Sequence, residues 1–151
     1  MMITPLNLFL SAVLILLIYY RVRPTRPPTH PKDPAPTLFR TFTPPDLVTY
    51  NGVDGRPVYL AVRGKVFDVT AGRHFYGPGG PYENFAGRDA SRGLACGSFD
   101  EQMLTEDLHG PLDELKGLND EELGALSDWE ARFTEKYLVI GRLVAAEAKD
   151  Q

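Results

Sequence analysis

Cysteine is almost missing from this chain: Cys96 stands alone among 151 residues, so no intrachain disulfide can form and a cystine-stapled scaffold is excluded. No Asn-x-Ser/Thr sequon occurs either, and with one free thiol nothing in the composition points to the secretory lumen. A basic excess is also lacking, since 16 Lys+Arg stand against 20 Asp+Glu. That balance excludes a general nucleic-acid binder, because neutralising phosphates requires a basic face. No internal repeat is present, which removes the solenoid and propeller architectures. Charge is absent altogether from Met1 to Tyr20.

That uncharged stretch contains Ile3 to Tyr20, ITPLNLFLSAVLILLIYY, 18 residues that as a helix would span roughly 27 Å. This suffices for a thin bilayer such as that of the endoplasmic reticulum. Tyr19 and Tyr20 fall where an aromatic belt would sit, and Arg21, Arg23 and Arg26 follow. The positive-inside bias therefore predicts a single-pass anchor over residues 1–20 with the C-terminal portion in the cytosol. A cleaved signal peptide would require a basic n-region and an A-x-A-like site, and neither is there. Residues 21–38 read as an extended spacer, with six prolines between Pro24 and Pro36. Their PxxP spacings also suit an SH3-type partner. A soluble domain over residues 39–147 and a short tail, 148–151, complete the chain. From Leu38 onward 12 Lys+Arg face 19 Asp+Glu, so the domain is acidic.

Within the domain, Thr43 can cap a short helix opened by Pro44. Val58–Val62 and Val66–Thr70 are β-rich runs separated by Arg63-Gly64-Lys65, which predicts a hairpin. A Gly/Pro-rich loop is expected from His74 to Tyr82, followed by short helices at 82–86 and 89–95. Asn119 and Glu122 form an N-x-x-E capping box ahead of a helix over 120–135, with Leu118 placed to staple onto Leu123. Leu123, Leu126, Trp129 and Phe133 make its apolar stripe. Tyr137–Ile140, Gly141 and Leu143-Val144 read as a closing strand. The expected class is α+β.

The stretch HFYGPGGPYENFAGRDASR, His74 to Arg92, is dense in glycine and aromatic residues together. Glycine lets backbone approach a flat ligand closely, and Phe75, Tyr76, Tyr82 and Phe85 can line an apolar slot with phenolic handles. Its glycines match neither GxxxxGK[ST] nor GxGxxG, so phosphate binding is not indicated. From the residues alone the favoured reading of the segment is a turn-rich surface loop packing its aromatics on the hairpin. Asp89 can cap the helix that follows, Arg88 and Arg92 can pair with acidic neighbours, and Cys96 suits a small apolar position.

VYLAVRGKVFDVT followed by FYGPGGPYENFAGRDASRGLA, with SDWEARFTEKY further on, resembles the membrane-associated progesterone receptor component family. That family is a branch of the cytochrome b5-like haem/steroid-binding domains, and the resemblance covers about Phe42 to Val144. It implies a cytochrome b5-like α+β domain that binds haem b and supports cytochrome P450 enzymes of sterol synthesis at the endoplasmic reticulum. The family's tyrosine ligand in GPY-x-x-F falls on Tyr82, as a phenolate on five-coordinate ferric iron. Its remaining pocket residues fall on Tyr76, Lys136 and Tyr137, which would bond the tyrosine or the propionates.

True cytochromes b5 hold haem between two histidines, the first in an HPGG loop, whereas this chain reads Gly77-Pro78-Gly79-Gly80. Bis-histidine ligation from that loop is therefore not available. The domain's two histidines, His74 and His109, suit a local hydrogen-bonding role and a turn. The resemblance leaves three roles open: a non-enzymatic haem-binding P450 partner or haem chaperone, a b5-like electron carrier, and a steroid-binding adaptor. It also allows a homodimer through an exposed haem face. The acidic stretch Glu106 to Glu122 reads as a solvated face that could meet a basic P450 surface.

Overall fold

The computed structural model describes residues 38–148, together with Ser11, Val13, Leu14, Leu17, Ile18, Tyr19 and Arg21. The chain divides into two units, Met1–Pro36 and Thr37–Gln151. In the first, the described residues are helical. Among the described residues no helix is long and apolar enough to cross a membrane. Most of the expected anchor and spacer, and all of the tail beyond Ala148, lie outside the described residues.

The second unit is built on a four-stranded sheet. β1 (Arg40–Phe42), β2 (Tyr59–Val62), β3 (Lys65–Asp68) and β4 (Leu138–Leu143) lie in the order β1-β4-β3-β2. β1 runs parallel to β4, and the other pairs are antiparallel. The hairpin turns through Arg63 (φ 48°) and Gly64 (φ 77°), two residues with positive φ that match the sheet's twist. Side chains alternate across the strands: Leu60, Val62 and Phe67 face one core, Ala61, Val66 and Ile140 the other. With both faces covered, these strands read as near-continuous apolar runs. The β3 run stops at Asp68, short of Thr70, because Asp68 Oδ1 accepts from the Thr70 amide (3.0 Å) and hydroxyl (2.5 Å), closing a turn.

Four helices cover the sheet: α1 (Pro44–Leu47), α2 (Arg73–Tyr76), α3 (Ser91–Cys96) and α4 (Asp120–Lys136). Thr43 caps α1 and Asn119 caps α4, each closing a full capping box. α2 replaces part of the loop expected from His74 onward. α3 starts at Ser91 because Asp89 is held beside Ala61 in a parallel bridge and accepts from Ser91. The expected helix at 82–86 is a single 3₁₀ turn, Glu83–Phe85. On α4, Leu126 and Phe133 are buried and Trp129 is half-buried, whereas Leu123 remains 42% exposed. The first turn of α4 therefore overshoots the core it would have stapled.

Glu130 on α4 joins the helix to the hairpin, receiving Arg63 and Lys65, each at 2.7 Å. The Lys65 hydrogen bond and both cationic charges hold its carboxyl below the ordinary value of 4.5, against burial. A depressed carboxyl stabilises the fold above its unfolded pKa and loses that contribution as pH falls through the folded value. Both cations are half exposed, so the contribution is about 1 kcal/mol. Glu130→Gln is thus expected to lower the melting temperature at pH 7, and the gap from the unsubstituted chain should close below pH 4.5. A gap independent of pH would show that packing, not charge, joins these elements.

Candidate functional site

α2 is fastened by Arg73, whose guanidinium donates to the carbonyls of Gly52 (2.8 Å) and Arg56. The chain then doubles back on it. Gly77 donates to Arg73 O (2.7 Å), Gly80 to Gly77 O (2.9 Å) and Tyr82 to Phe75 O (2.9 Å). A Cβ at Gly77 would stand 2.6 Å from Arg73 O, and one at Gly80 would stand 2.3 Å from Phe75 O. Side chains there are excluded by backbone, which explains Gly77 and Gly80, whereas Gly79 is fixed by its positive φ of 81°; the loop so closed brings Tyr82 beside α2. Glu83 Oε2 accepts from Gly79 (2.7 Å) and braces the loop.

Tyr82, Tyr76, Lys136 and Tyr137 come together in one aromatic cluster. Tyr76 lies with its ring centroid 5.9 Å from Tyr82 and 6.3 Å from Tyr137. Lys136 Nζ sits 5.3 Å from the Tyr137 ring centroid and 5.6 Å from that of Phe75, cation over aromatic face. Tyr76, Lys136 and Tyr137 line a cleft of about 210 Å³ with Trp129, Arg132 and Phe133. Tyr82 is not in that lining; it stands on the far side of Tyr76, half-buried. The cleft is smaller than the roughly 300–1,000 Å³ of an enclosing ligand pocket and is open to solvent. A second, enclosed cavity beside Asp89 holds only about 20 Å³, room for a water and no more.

Burial, with the neighbouring Tyr137 and Tyr82, pushes the Tyr76 phenol up to about 12. Tyr76 is therefore a hydrogen-bond donor at neutral pH. Alkaline titration followed by phenolate absorbance should show a tyrosine ionising near pH 12 that is absent from Tyr76→Phe. Persistence of that step in the variant would assign the buried phenol elsewhere.

The phenolic oxygens of Tyr76, Tyr82 and Tyr137 make no hydrogen bond among the described residues, and no buried side-chain polar atom lacks a partner, so all three reach the surface. Unclaimed phenols beside a lysine suit a ferric haem, with one hard oxygen ligand and donors for its carboxylates. The histidines do not compete. His74 lies exposed on α2 against Phe75, and His109 is exposed in a turn closed by Asp107. Cys96 is half-buried, and burial raises its thiol so that it stays protonated. Among the described residues no three His, Cys, Asp or Glu side chains converge on a metal site.

Arg92 pairs with Asp113 at 2.6 and 2.7 Å, holding its carboxyl low and tying down the acidic insertion. Arg88 meets a carbonyl, Thr105 O (2.6 Å), not an acid. Burial pushes the Asp89 carboxyl up against its Ser91 hydrogen bonds. All three serve the frame.

Two residues beyond those expected from the sequence contribute to the site. Phe99 stacks on Tyr82 at 4.7 Å, and its carbonyl is held by Asn84. No spacing signal links residue 99 to residue 82. Arg132 also lines the cleft, and its i, i+4 relation to Lys136 was the available signal.

Residues 43–144 match the family model described as Cytochrome b5-like Heme/Steroid binding domain. The chain belongs to that family. It is 47% identical over 114 residues, 76% of this chain and 69% of the relative, to a Schizosaccharomyces pombe protein named cytochrome P450 regulator dap1. It is 45% identical to the rat membrane-associated progesterone receptor component 2, over 75% of this chain and 52% of that one, so it spans about half the length of that relative. A solved Arabidopsis thaliana structure described as having a cytochrome b5 like fold superposes with a TM-score of 0.60. That protein is 43% identical, over 75% of this chain and 97% of its own. The α+β, b5-like expectation therefore holds.

Proposed function

We propose that this chain is a membrane-tethered, haem-binding partner of cytochrome P450 enzymes, holding ferric haem b through the Tyr82 phenolate. The observation that carries the reading is an open cleft lined by Tyr76, Tyr137 and Lys136, with the unclaimed Tyr82 phenol packed against Tyr76 beside it, in a family of haem/steroid-binding domains. The relative named a P450 regulator supports the choice of partner.

Bound haem supplies a redox-active iron and a planar apolar ring. Tyr82 offers the anionic ligand, and its ring is fixed by the Phe99 stack. Tyr76, kept protonated by burial and packed against Tyr82, would be the donor available to a Tyr82 phenolate when haem is bound. Lys136 and Tyr137 supply a cation and a hydroxyl for carboxylates. Gly77 speaks against the electron-carrier reading, because the loop position where a cytochrome b5 has histidine leaves no space for a side chain beyond Arg73 O. The steroid-adaptor reading draws on relatives named steroid-binding proteins, but an open cleft flanked by two cations suits an anion better than a neutral steroid.

The anchor over residues 1–20 would place the domain on the cytosolic face of the endoplasmic reticulum, next to sterol-synthesis P450s. Sealed microsomes test both parts of the reading. Added protease should digest the domain, and sterol P450 turnover should fall when the chain carries Tyr82→Phe. A protected domain, or turnover indifferent to that substitution, would overturn the assignment.

A further inference from the structure

Trp129, Arg132, Phe133 and Lys136 fall at i, i+3, i+4 and i+7 of α4, one face of the helix, and all four line the cleft. The two cations stand one turn apart on its rim. Asp128 and Glu135 lie one turn from Arg132 along the helix, yet neither pairs with it among the described residues. The guanidinium instead lies over the Trp129 ring at 5.2 Å. Lys136 likewise has no carboxylate partner and lies over Phe75 and Tyr137. In a domain with 12 basic and 19 acidic residues, two adjacent cations turned onto aromatic faces are conspicuous.

They also stand at the C-terminal end of a 17-residue helix, where the backbone dipole carries partial negative charge. An anionic ligand meets repulsion from that helix end unless cations offset it. Two cations about one helical turn apart suit a ligand bearing two carboxylates on one edge of a flat ring.

We propose that Arg132 is a second carboxylate anchor, which with Lys136 makes the cleft selective for planar dicarboxylates over neutral flat ligands. The inference rests on the haem-binding reading but does not depend on iron. Arg132 takes one carboxylate through its planar fork of donors, and Lys136 takes the other as a point charge. Trp129 holds the guanidinium at the rim, so little side-chain freedom is lost on binding.

Metal-free protoporphyrin IX and its dimethyl ester are the probes, titrated by fluorescence into the full chain in detergent, with haemin titrated in parallel. Arg132→Met should weaken protoporphyrin about tenfold and leave the ester unchanged, while Arg132→Lys, which keeps the charge but loses the fork, retains part of the affinity. Arg132 is exposed, so the variant should melt with the unsubstituted chain. Equal losses for acid and ester would show that Arg132 acts through packing on Trp129, and no loss for either would show that it touches no ligand. Both results overturn the proposal. Protoporphyrin binding that follows the predicted pattern while Tyr82→Phe leaves haemin affinity intact would uphold Arg132 and remove tyrosinate ligation. A chain that binds neither porphyrin would overturn both.

Discussion

Tyr82→Phe is expected to reduce ferric haem affinity more than any other substitution at the site, by well over a hundredfold, without lowering the melting temperature. Losing an outer partner of a metal ligand typically costs about 10–100-fold, so removing the ligand itself must cost more. Phe keeps the ring that stacks on Phe99 at 4.7 Å and approaches Tyr76 at 5.9 Å. The hydroxyl it deletes makes no protein hydrogen bond among the described residues, so stability should stay within about 0.5 kcal/mol. Tyr76→Phe, Tyr137→Phe and Lys136→Ala remove a hydrogen bond or a carboxylate contact worth about 1–3 kcal/mol, roughly 5- to 150-fold. Haemin titration monitored by absorbance ranks the four. If Tyr137→Phe or Tyr76→Phe were the most damaging, the ligand would have been assigned to the wrong phenol.

Gly80→Ala should damage fold and site together. Its Cβ would stand 2.3 Å from Phe75 O and 2.7 Å from Phe75 C, atoms of the α2 backbone that cannot rotate away. The loop must lift, and the Tyr82 amide bond to Phe75 O, two residues on, lengthens with it. Overpacking of this kind costs about 1–3 kcal/mol, and each kcal/mol lowers the melting point of a domain of this size by roughly 4–8 °C. Haem affinity should fall as well, because Tyr82 is displaced from Tyr76. Gly124 is the control: it lies in the exposed interior of α4 with nothing within 4 Å of an added Cβ. Gly124→Ala should leave affinity unchanged and raise stability by up to about 1 kcal/mol. If Gly80→Ala behaved like Gly124→Ala, the close approach of loop and helix would play no part in placing Tyr82.

Local rules made some of this legible beforehand. Arg63-Gly64 between β-branched runs announces the hairpin, and Asn119 with Glu122 announces the start of α4, because turn and cap chemistry acts within four residues. The parallel partnership of β1 with β4 has no such marker, since Arg40–Phe42 meets Gly141–Leu143 across about a hundred residues. α2 hides inside a Gly/Pro-rich stretch because its four residues are held by Arg73 reaching Gly52 and Arg56, a tertiary constraint. Resemblance, not spacing, groups Tyr82, Tyr76, Lys136 and Tyr137, and the structure shows why spacing cannot serve. Two come from the loop and α2, two from the end of α4, and only the folded sheet brings them together. Phe99 was invisible for the same reason.

One phenolate, and no histidine, is expected to hold the iron. Absorption and resonance Raman spectra of the purified chain with one equivalent of haemin, alongside Tyr82→Phe, test it most directly. A high-spin ferric spectrum with phenolate-to-iron charge-transfer bands, lost in Tyr82→Phe and unchanged in His74→Ala and His109→Ala, is the predicted result. A low-spin, bis-histidine-type spectrum that survives Tyr82→Phe and vanishes in either histidine variant would contradict the account.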